Sequence, residues 1–192
     1  MGKLAQFIRD VREDLRRYGD DGGAGFGKCL KYWCLNLGFF VLFTWRYARL
    51  LHSLGIRCWP RYTLKRHHIG ISLSARIDGG VQLGHGTGIV IGAGAVVKRG
   101  VTIYQDVTLG SRGRSEPSGA GGGYPVVEED AVIYAGAKII GPVTIGRGAC
   151  VAAGALVLED VPPGMTAVGN PARVVGRPPD GTAQPVAPEP GQ

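Results

Sequence analysis

From residue 71 onward, aliphatic side chains return at every sixth position. They stand at Ile71, Ile77 and Leu83, shift by two residues to Ile91, and continue through Val97, Ile103 and Leu109. The register resumes at Val127 and runs through Ile133, Ile139, Ile145, Val151 and Val157, giving thirteen hexads. Four residues after most of these sits a second small or apolar side chain, such as Ala75, Val81, Thr87, Ala95, Ala131 and Ala155. A period of six fits neither a helix of about 3.6 residues per turn nor a long alternating strand. It fits a solenoid in which each hexad is one short strand and one corner, with the aliphatic residue pointing inward. A sandwich would space its turn signals at roughly 8 to 12 residues. Glycines such as Gly92, Gly94, Gly146, Gly148 and Gly154 are expected to relieve strain at the corners.

The first third of the chain follows a different rule. Leu4, Ile8, Val11 and Leu15 recur at three- and four-residue intervals, which predicts a helix with one apolar face ending near Tyr18, stopped by Gly19 and Gly22-Gly23. A second helical region is expected from about Leu30 to Leu54, closed by Gly55 and Pro60. Within it, Tyr32 to Trp45 runs for 14 residues without a charge, too short to cross a bilayer. Two uses stay open for this segment, a buried bundle helix or an amphipathic element resting on anionic lipid, because Arg46, Arg49, Arg57, Arg61, Lys65 and Arg66 follow. The expected organisation is a helical region over 1–68, a β-solenoid domain over 69–177 and a disordered proline-rich tail over 178–192. Between 110 and 124 a polar, glycine-rich insertion with Arg112, Arg114 and Glu116 must loop outward.

Glycine supplies 33 of 192 residues, which excludes a purely helical protein; without a strict three-residue period it also excludes collagen. The net charge of +7 is uneven. Residues 22–77 carry nine lysines and arginines and no acid, whereas 1–21 balance five against five. The sign selects no partner by itself, and nucleic acid is not expected. Four cysteines without a Cys-x-x-Cys pair, and no apolar export segment, point to the cytoplasm, with docking at the face of the cytoplasmic membrane kept as a secondary expectation. Cys58 with His67 and His68 matches no zinc spacing, so no metal is expected.

Three segments carry a family resemblance: Leu83-Gly84-His85-Gly86-Thr87-Gly88-Ile89-Val90-Ile91-Gly92, then Gln105-Asp106-Val107-Thr108-Leu109-Gly110, then Val168-Gly169-Asn170-Pro171-Ala172-Arg173-Val174. They resemble the serine O-acetyltransferase branch of the hexapeptide-repeat acyltransferases. That resemblance implies a mainly β fold, a left-handed parallel β-helix with a short α-helical N-terminal region, assembled as a homotrimer with acetyl-CoA lying between neighbouring prisms. It implies His85 as the catalytic base, since a neutral imidazole can take the proton of a weakly nucleophilic alcohol. Ser111, Ala135, Gly136 and Ala153 match positions where the family contacts the pantetheine arm, and Arg173, with Arg147 as a further candidate, would meet the nucleotide phosphates.

The chain departs from the serine enzymes at three places. Gly70 and Gly84 stand where that family has carboxylates, and Tyr124 before Pro125 stands where it has a second histidine. Asp20 or Asp21 lies near the family's N-terminal serine-binding aspartate without its usual context, and Asp78 and Asp106 are candidates to orient His85. The departures resemble the exopolysaccharide, colanic-acid type branch. A saccharide is neutral and is read by hydrogen bonds and aromatic stacking, for which Tyr124, Arg112 and Gln105 are the expected residues. The leading expectation is therefore acetyl-CoA-dependent O-acetylation of a saccharide or exopolysaccharide precursor. L-serine acetylation in cysteine synthesis is the alternative, and a non-enzymatic trimeric scaffold the second alternative. A complex with cysteine synthase is not expected, because the chain ends Pro190-Gly191-Gln192 rather than in isoleucine.

Overall fold

The computed structural model describes residues 2–18, 26–56, 70–113 and 123–176. Arg114, Glu116, Asp20, Asp21, Cys58, His67, His68, the arginines and lysine between 57 and 66, and the tail from 177 lie outside the described residues.

Among the described residues, fifteen short strands, numbered in chain order, build three parallel sheets. The first holds β1 (Gly70–Ile71), β4 (Val90–Ile91), β7 (Thr108–Gly110), β10 (Lys138–Ile140) and β13 (Leu156–Val157). The second holds β2 (Arg76–Ile77), β5 (Val96–Val97), β8 (Val126–Val127) and β11 (Thr144–Ile145). The third holds β3 (Gln82–Leu83), β6 (Thr102–Ile103), β9 (Val132–Ile133), β12 (Cys150–Val151), β14 (Thr166–Gly169) and β15 (Ala172–Val175), the last pairing antiparallel. The chain visits the sheets in rotation, so Val90 lies beside Thr108 one full coil later. This is the left-handed parallel β-helix expected from the hexads.

The reason is visible in the burial. In each strand from β1 to β13 the aliphatic residue of the hexad is buried while its predecessor faces out. The second inward residue stands two positions before the next aliphatic one: Ala75, Val81, Ala95, Val101, Ala131 and Ala137 are all fully enclosed. Thr87, expected in this role, is exposed, and Ile89 fills the core instead. The two-residue shift before Ile91 moves the inward position from 87 to 89. Of the corner glycines, Gly148 and Gly154 adopt positive φ. Gly92 and Gly94 instead make room for the Tyr124 ring, which a Cβ at either position would strike.

Three helices cover one end. Helix α1 (Lys3–Tyr18) buries Val11, Asp14 and Leu15, whereas Leu4 and Ile8 are exposed; Phe7 takes up the packing, with ring contacts to Phe43 and Tyr47. The single helical region expected from Leu30 to Leu54 is two helices, α2 (Phe26–Leu35) and α3 (Leu37–Ser53). Asn36 divides them: its extended backbone leaves the helical path, and its side chain accepts the Phe39 N–H as an N-cap. The uncharged run serves the buried alternative. Val41, Leu42 and Trp45 join the solenoid core, Phe39 packs on α1, and Trp45 Nε1 donates to the Ser72 carbonyl. Trp33 and Leu35 at the start of the run stay exposed, as do Leu30, Tyr47, Leu54 and Ile56 around it. Among the described residues, no helix is long and apolar enough to cross a membrane.

A buried ion pair fastens the helices to the first coil. Arg46 on α3 binds both carboxylate oxygens of Asp14 on α1, at 2.5 and 3.0 Å, and donates to the carbonyls of Ile77 and Asp78. Asp14 also accepts the Gly80 N–H at 2.9 Å. Burial pushes the Asp14 carboxyl above its ordinary range, opposed by Arg46 and by the Gly80 N–H.

Candidate active site

The strand register places four of the expected residues in one line. Leu83 pairs with Ile103, Ile103 with Ile133, and Ile133 with Val151. Two residues beyond each of these stand His85, Gln105, Ala135 and Ala153, on the edge where the third sheet turns into the first. Backbone bonds stitch this edge: the Asp106 N–H donates to Thr87, Gly136 to Gln105 and Gly154 to Ala135.

His85 heads the line in an unusual conformation. Its φ is +59°, and the Gly86 N–H closes back on the Gly84 carbonyl at 2.8 Å, so the extra two residues form a tight corner that thrusts the imidazole into solvent. Gly86 lies against the backbone of Gly38 on α3, where a Cβ would stand 2.9 Å from Gly38 Cα. Helix α3 thus braces the corner from behind. Among the described residues, nothing hydrogen-bonds the His85 imidazole.

Neither aspartate suggested as an orienting partner is so engaged. Asp78 lies at a different corner, its backbone carbonyl engaged by Arg46. Asp106, at φ +59°, rests its carboxylate on Gly88, and Asp130, at φ +60°, does the same on Gly100 at another edge. That recurrence marks the arrangement as a way of filling corners.

Below His85 the edge is smooth. Ala153 is exposed, a Cβ on Gly154 would meet nothing within 4 Å, and one on Gly136 would touch only Gly154 at 3.8 Å. Small residues on a straight edge leave it unobstructed, so that a thin, extended chain such as a pantetheine arm could lie against it. Gln105 adds a buried side-chain oxygen without a hydrogen-bond partner among the described residues.

The other expected residues lie elsewhere. Ser111, Arg112 and Tyr124 occupy the opposite edge of the first sheet. There Ser111 donates to the Gly113 carbonyl, and Arg112 reaches past Gly141 to donate to the Leu158 carbonyl. Arg173 lies on β15 at the far end of the third sheet, paired with Val168. Arg147 stands on the third edge in an ion pair with Glu129 at 3.1 Å. One chain therefore does not unite these residues with His85.

Comparison with known proteins decides the family. The model for the bacterial transferase hexapeptide (six repeats) matches residues 124–159. The serine acetyltransferase of Escherichia coli K12 is 41% identical over 145 residues, covering 73% of this chain and 52% of that protein. The crystal structure of serine acetyltransferase from Brucella abortus in complex with coenzyme A is 33% identical, with a TM-score of 0.74, covering 90% of this chain and 69% of that one. Soybean serine acetyltransferase complexed with serine is 36% identical, with a TM-score of 0.73, covering 89% and 70%. The chain belongs to the serine acetyltransferase family. It spans about half the length of the curated relatives it matches. The narrower placement beside the exopolysaccharide enzymes has no counterpart among these relatives, whose names are those of serine acetyltransferases.

Beside the candidate site, sequence reasoning passed over three tyrosines. Tyr104 and Tyr134 follow the aliphatic residues of β6 and β9 directly and stack at 5.4 Å beside Gly84. Their shared place in the hexad was a readable signal. Tyr18, on α1, hydrogen-bonds the backbone of Leu83 two residues before His85; no signal in the sequence joins those two residues.

Proposed function

We propose that the protein is an acetyl-CoA-dependent O-acetyltransferase in which His85 acts as general base. The supporting observation is the exposed imidazole at the head of a straight, open edge of small residues. The acetyl donor is supported by the relative that carries coenzyme A. In the reaction the acceptor hydroxyl forms a C–O bond to the acetyl carbon while its proton passes to His85. The C–S bond then breaks and the sulfur leaves as the thiol, taking that proton. The thioester is already activated, so no acyl-enzyme and no metal is needed.

A homotrimer is the assembly that fits this reading. It would bring the edge bearing Ser111, Arg112 and Tyr124 of one protomer toward the His85 edge of the next, completing a site that one prism leaves open.

L-serine is the acceptor that the relatives support, since they are named for it and one was determined with serine. A saccharide hydroxyl is a second reading, favoured by one observation: the position before His85 is Gly84, lying against the Tyr104 ring, so no carboxylate stands there to receive an ammonium. The test is thiol release from acetyl-CoA with L-serine and with neutral sugars, in the native protein and in His85→Asn. Turnover abolished by the substitution is expected. Absence of turnover with every hydroxyl, in both proteins, would leave only a trimeric scaffold.

A further inference from the structure

An aromatic ring fills the space in front of Gly84. A Cβ at that position would stand 2.9 Å from Tyr104 Cδ1, so the ring lies against the backbone that leads into His85. Tyr104 stacks on Tyr134 with centroids 5.4 Å apart and planes 7° from parallel. The stack follows from register, because Ile103 pairs with Ile133 and each tyrosine is the next residue. Coils about 4.8 Å apart place equivalent side chains face to face. Both rings are half-buried, leaving part of each open. The column begins at Gly84 and ends where Ala152 takes the equivalent position, so the wall is two rings tall and stands beside His85.

Its chemistry differs from that of an amino-acid pocket. Aromatic faces stack on the C–H faces of sugar rings, and phenol groups exchange hydrogen bonds with hydroxyls. An ammonium needs an anion, and Asp106, on the next coil along this edge, rests its carboxylate on Gly88.

We propose that Tyr104 and Tyr134 form the acceptor wall of the site and select a neutral pyranoside over a compact zwitterion such as L-serine. The inference rests on the O-acetyltransfer reading for its chemistry but not for its ligand, which can be detected without turnover.

Thiol release is measured with a panel of neutral methyl pyranosides and with L-serine, for the native protein, Tyr104→Leu, Tyr104→Phe and Tyr134→Leu. The native protein should prefer a pyranoside. Tyr104→Leu and Tyr134→Leu should each raise the KM of that pyranoside by about tenfold, the scale of one lost stacking contact. Turnover with saturating pyranoside should be unchanged, and Tyr104→Phe, which keeps the stacking face and loses only the hydroxyl, should raise that KM less than Tyr104→Leu does. A merely structural role would not divide KM from kcat in this way. Preference for L-serine, or equal changes for both acceptors, would overturn the proposal. Where no hydroxyl gives turnover, O-acetyltransfer fails and the wall is judged by saturation-transfer NMR with the same pyranosides. Transfer to ring C–H protons that vanishes in both leucine variants supports it; no transfer to any sugar in the native protein overturns it.

Discussion

The Tyr18 hydroxyl accepts the Leu83 N–H at 2.7 Å and donates to the Leu83 carbonyl at 3.1 Å. Strand β3 pairs on one side only, with β6, through Gln82 and Gly84. The amide groups of Leu83 therefore face the open end, where no further coil pairs with β3 among the described residues. A single phenol, able to give and to receive, stands in for that missing coil. Two residues later the chain reaches His85, so the cap that protects the sheet edge also fixes the start of the candidate catalytic corner.

Removing that hydroxyl should have a pH-dependent cost. Burial raises the Tyr18 phenol far above the ordinary tyrosine value, with the Leu83 backbone bond opposing. The folded state therefore keeps a proton that the unfolded chain loses above about pH 10. Its contribution is complete below that pH and declines as pH climbs further. Tyr18→Phe should lose about 1–3 kcal/mol at neutral pH, through the unpaired Leu83 groups. Urea midpoints should then converge between the native protein and Tyr18→Phe as pH is raised past about 10. Parallel curves across that range would show that the phenol proton is not linked to folding.

His85→Asn should lower the rate of thiol release by about 10²- to 10⁴-fold, the usual weight of a general base. Asparagine is chosen because it tolerates the positive φ at this corner. The urea midpoint should stay within about 0.5 kcal/mol of native, since the imidazole is exposed and bonds nothing described. Retention of full activity in the acetylation assay would remove His85 from the chemistry.

The solenoid was legible because its determinant is local. One aliphatic residue per hexad must face inward, and that rule survives translation from text to structure at every coil. The two-residue shift was visible as well, but its effect on the core, Ile89 in place of Thr87, depends on how the backbone spends the extra length, and periodicity alone does not contain that. The line of His85, Gln105, Ala135 and Ala153 could be counted from the repeat. The split of Ser111, Arg112 and Tyr124 onto the opposite edge followed from the same count, carried through the insertion. What the sequence hid were contacts between distant segments: Tyr18 on Leu83, Gly38 on Gly86, and Asp14 with Arg46. Each joins a helix to a coil, and no repeat relates the two. The acceptor stands apart from these, because two signals point different ways: absent charges at Gly70, Gly84 and Tyr124 suit a neutral hydroxyl, whereas overall likeness runs to the serine enzymes.

The Asp14–Arg46 pair should prove expensive to break from one side. Arg46 is 4% exposed and Asp14 1% exposed, so Arg46→Ala leaves a carboxylate and two backbone carbonyls without their donor. The expected loss is about 3–5 kcal/mol in urea unfolding. The double substitution Arg46→Met with Asp14→Leu should recover part of that loss, because no stranded charge remains. A double variant as unstable as Arg46→Ala would place the cost in lost packing.

The open edge beneath His85 can be tested by obstructing it. Ala153 is exposed on the edge, two residues beyond Val151, and its neighbour Gly154 has open space where a side chain would begin. A large side chain at 153 therefore has room to project without disturbing the coil, and Ala153→Trp should fold as the native protein does, with a urea midpoint shifted by no more than about 0.5 kcal/mol. If a pantetheine arm lies along this edge, the indole obstructs it before any chemistry occurs. The KM for acetyl-CoA should then rise by about tenfold or more, while kcat at saturating donor changes far less, because the base and the acceptor wall are untouched. Ser111→Trp on the opposite edge gives the complementary measurement. In a trimer whose donor groove lies between two prisms, both substitutions raise the same KM; in a monomer that binds donor along one edge, only Ala153→Trp does. An unchanged KM in Ala153→Trp would move the donor off this edge altogether.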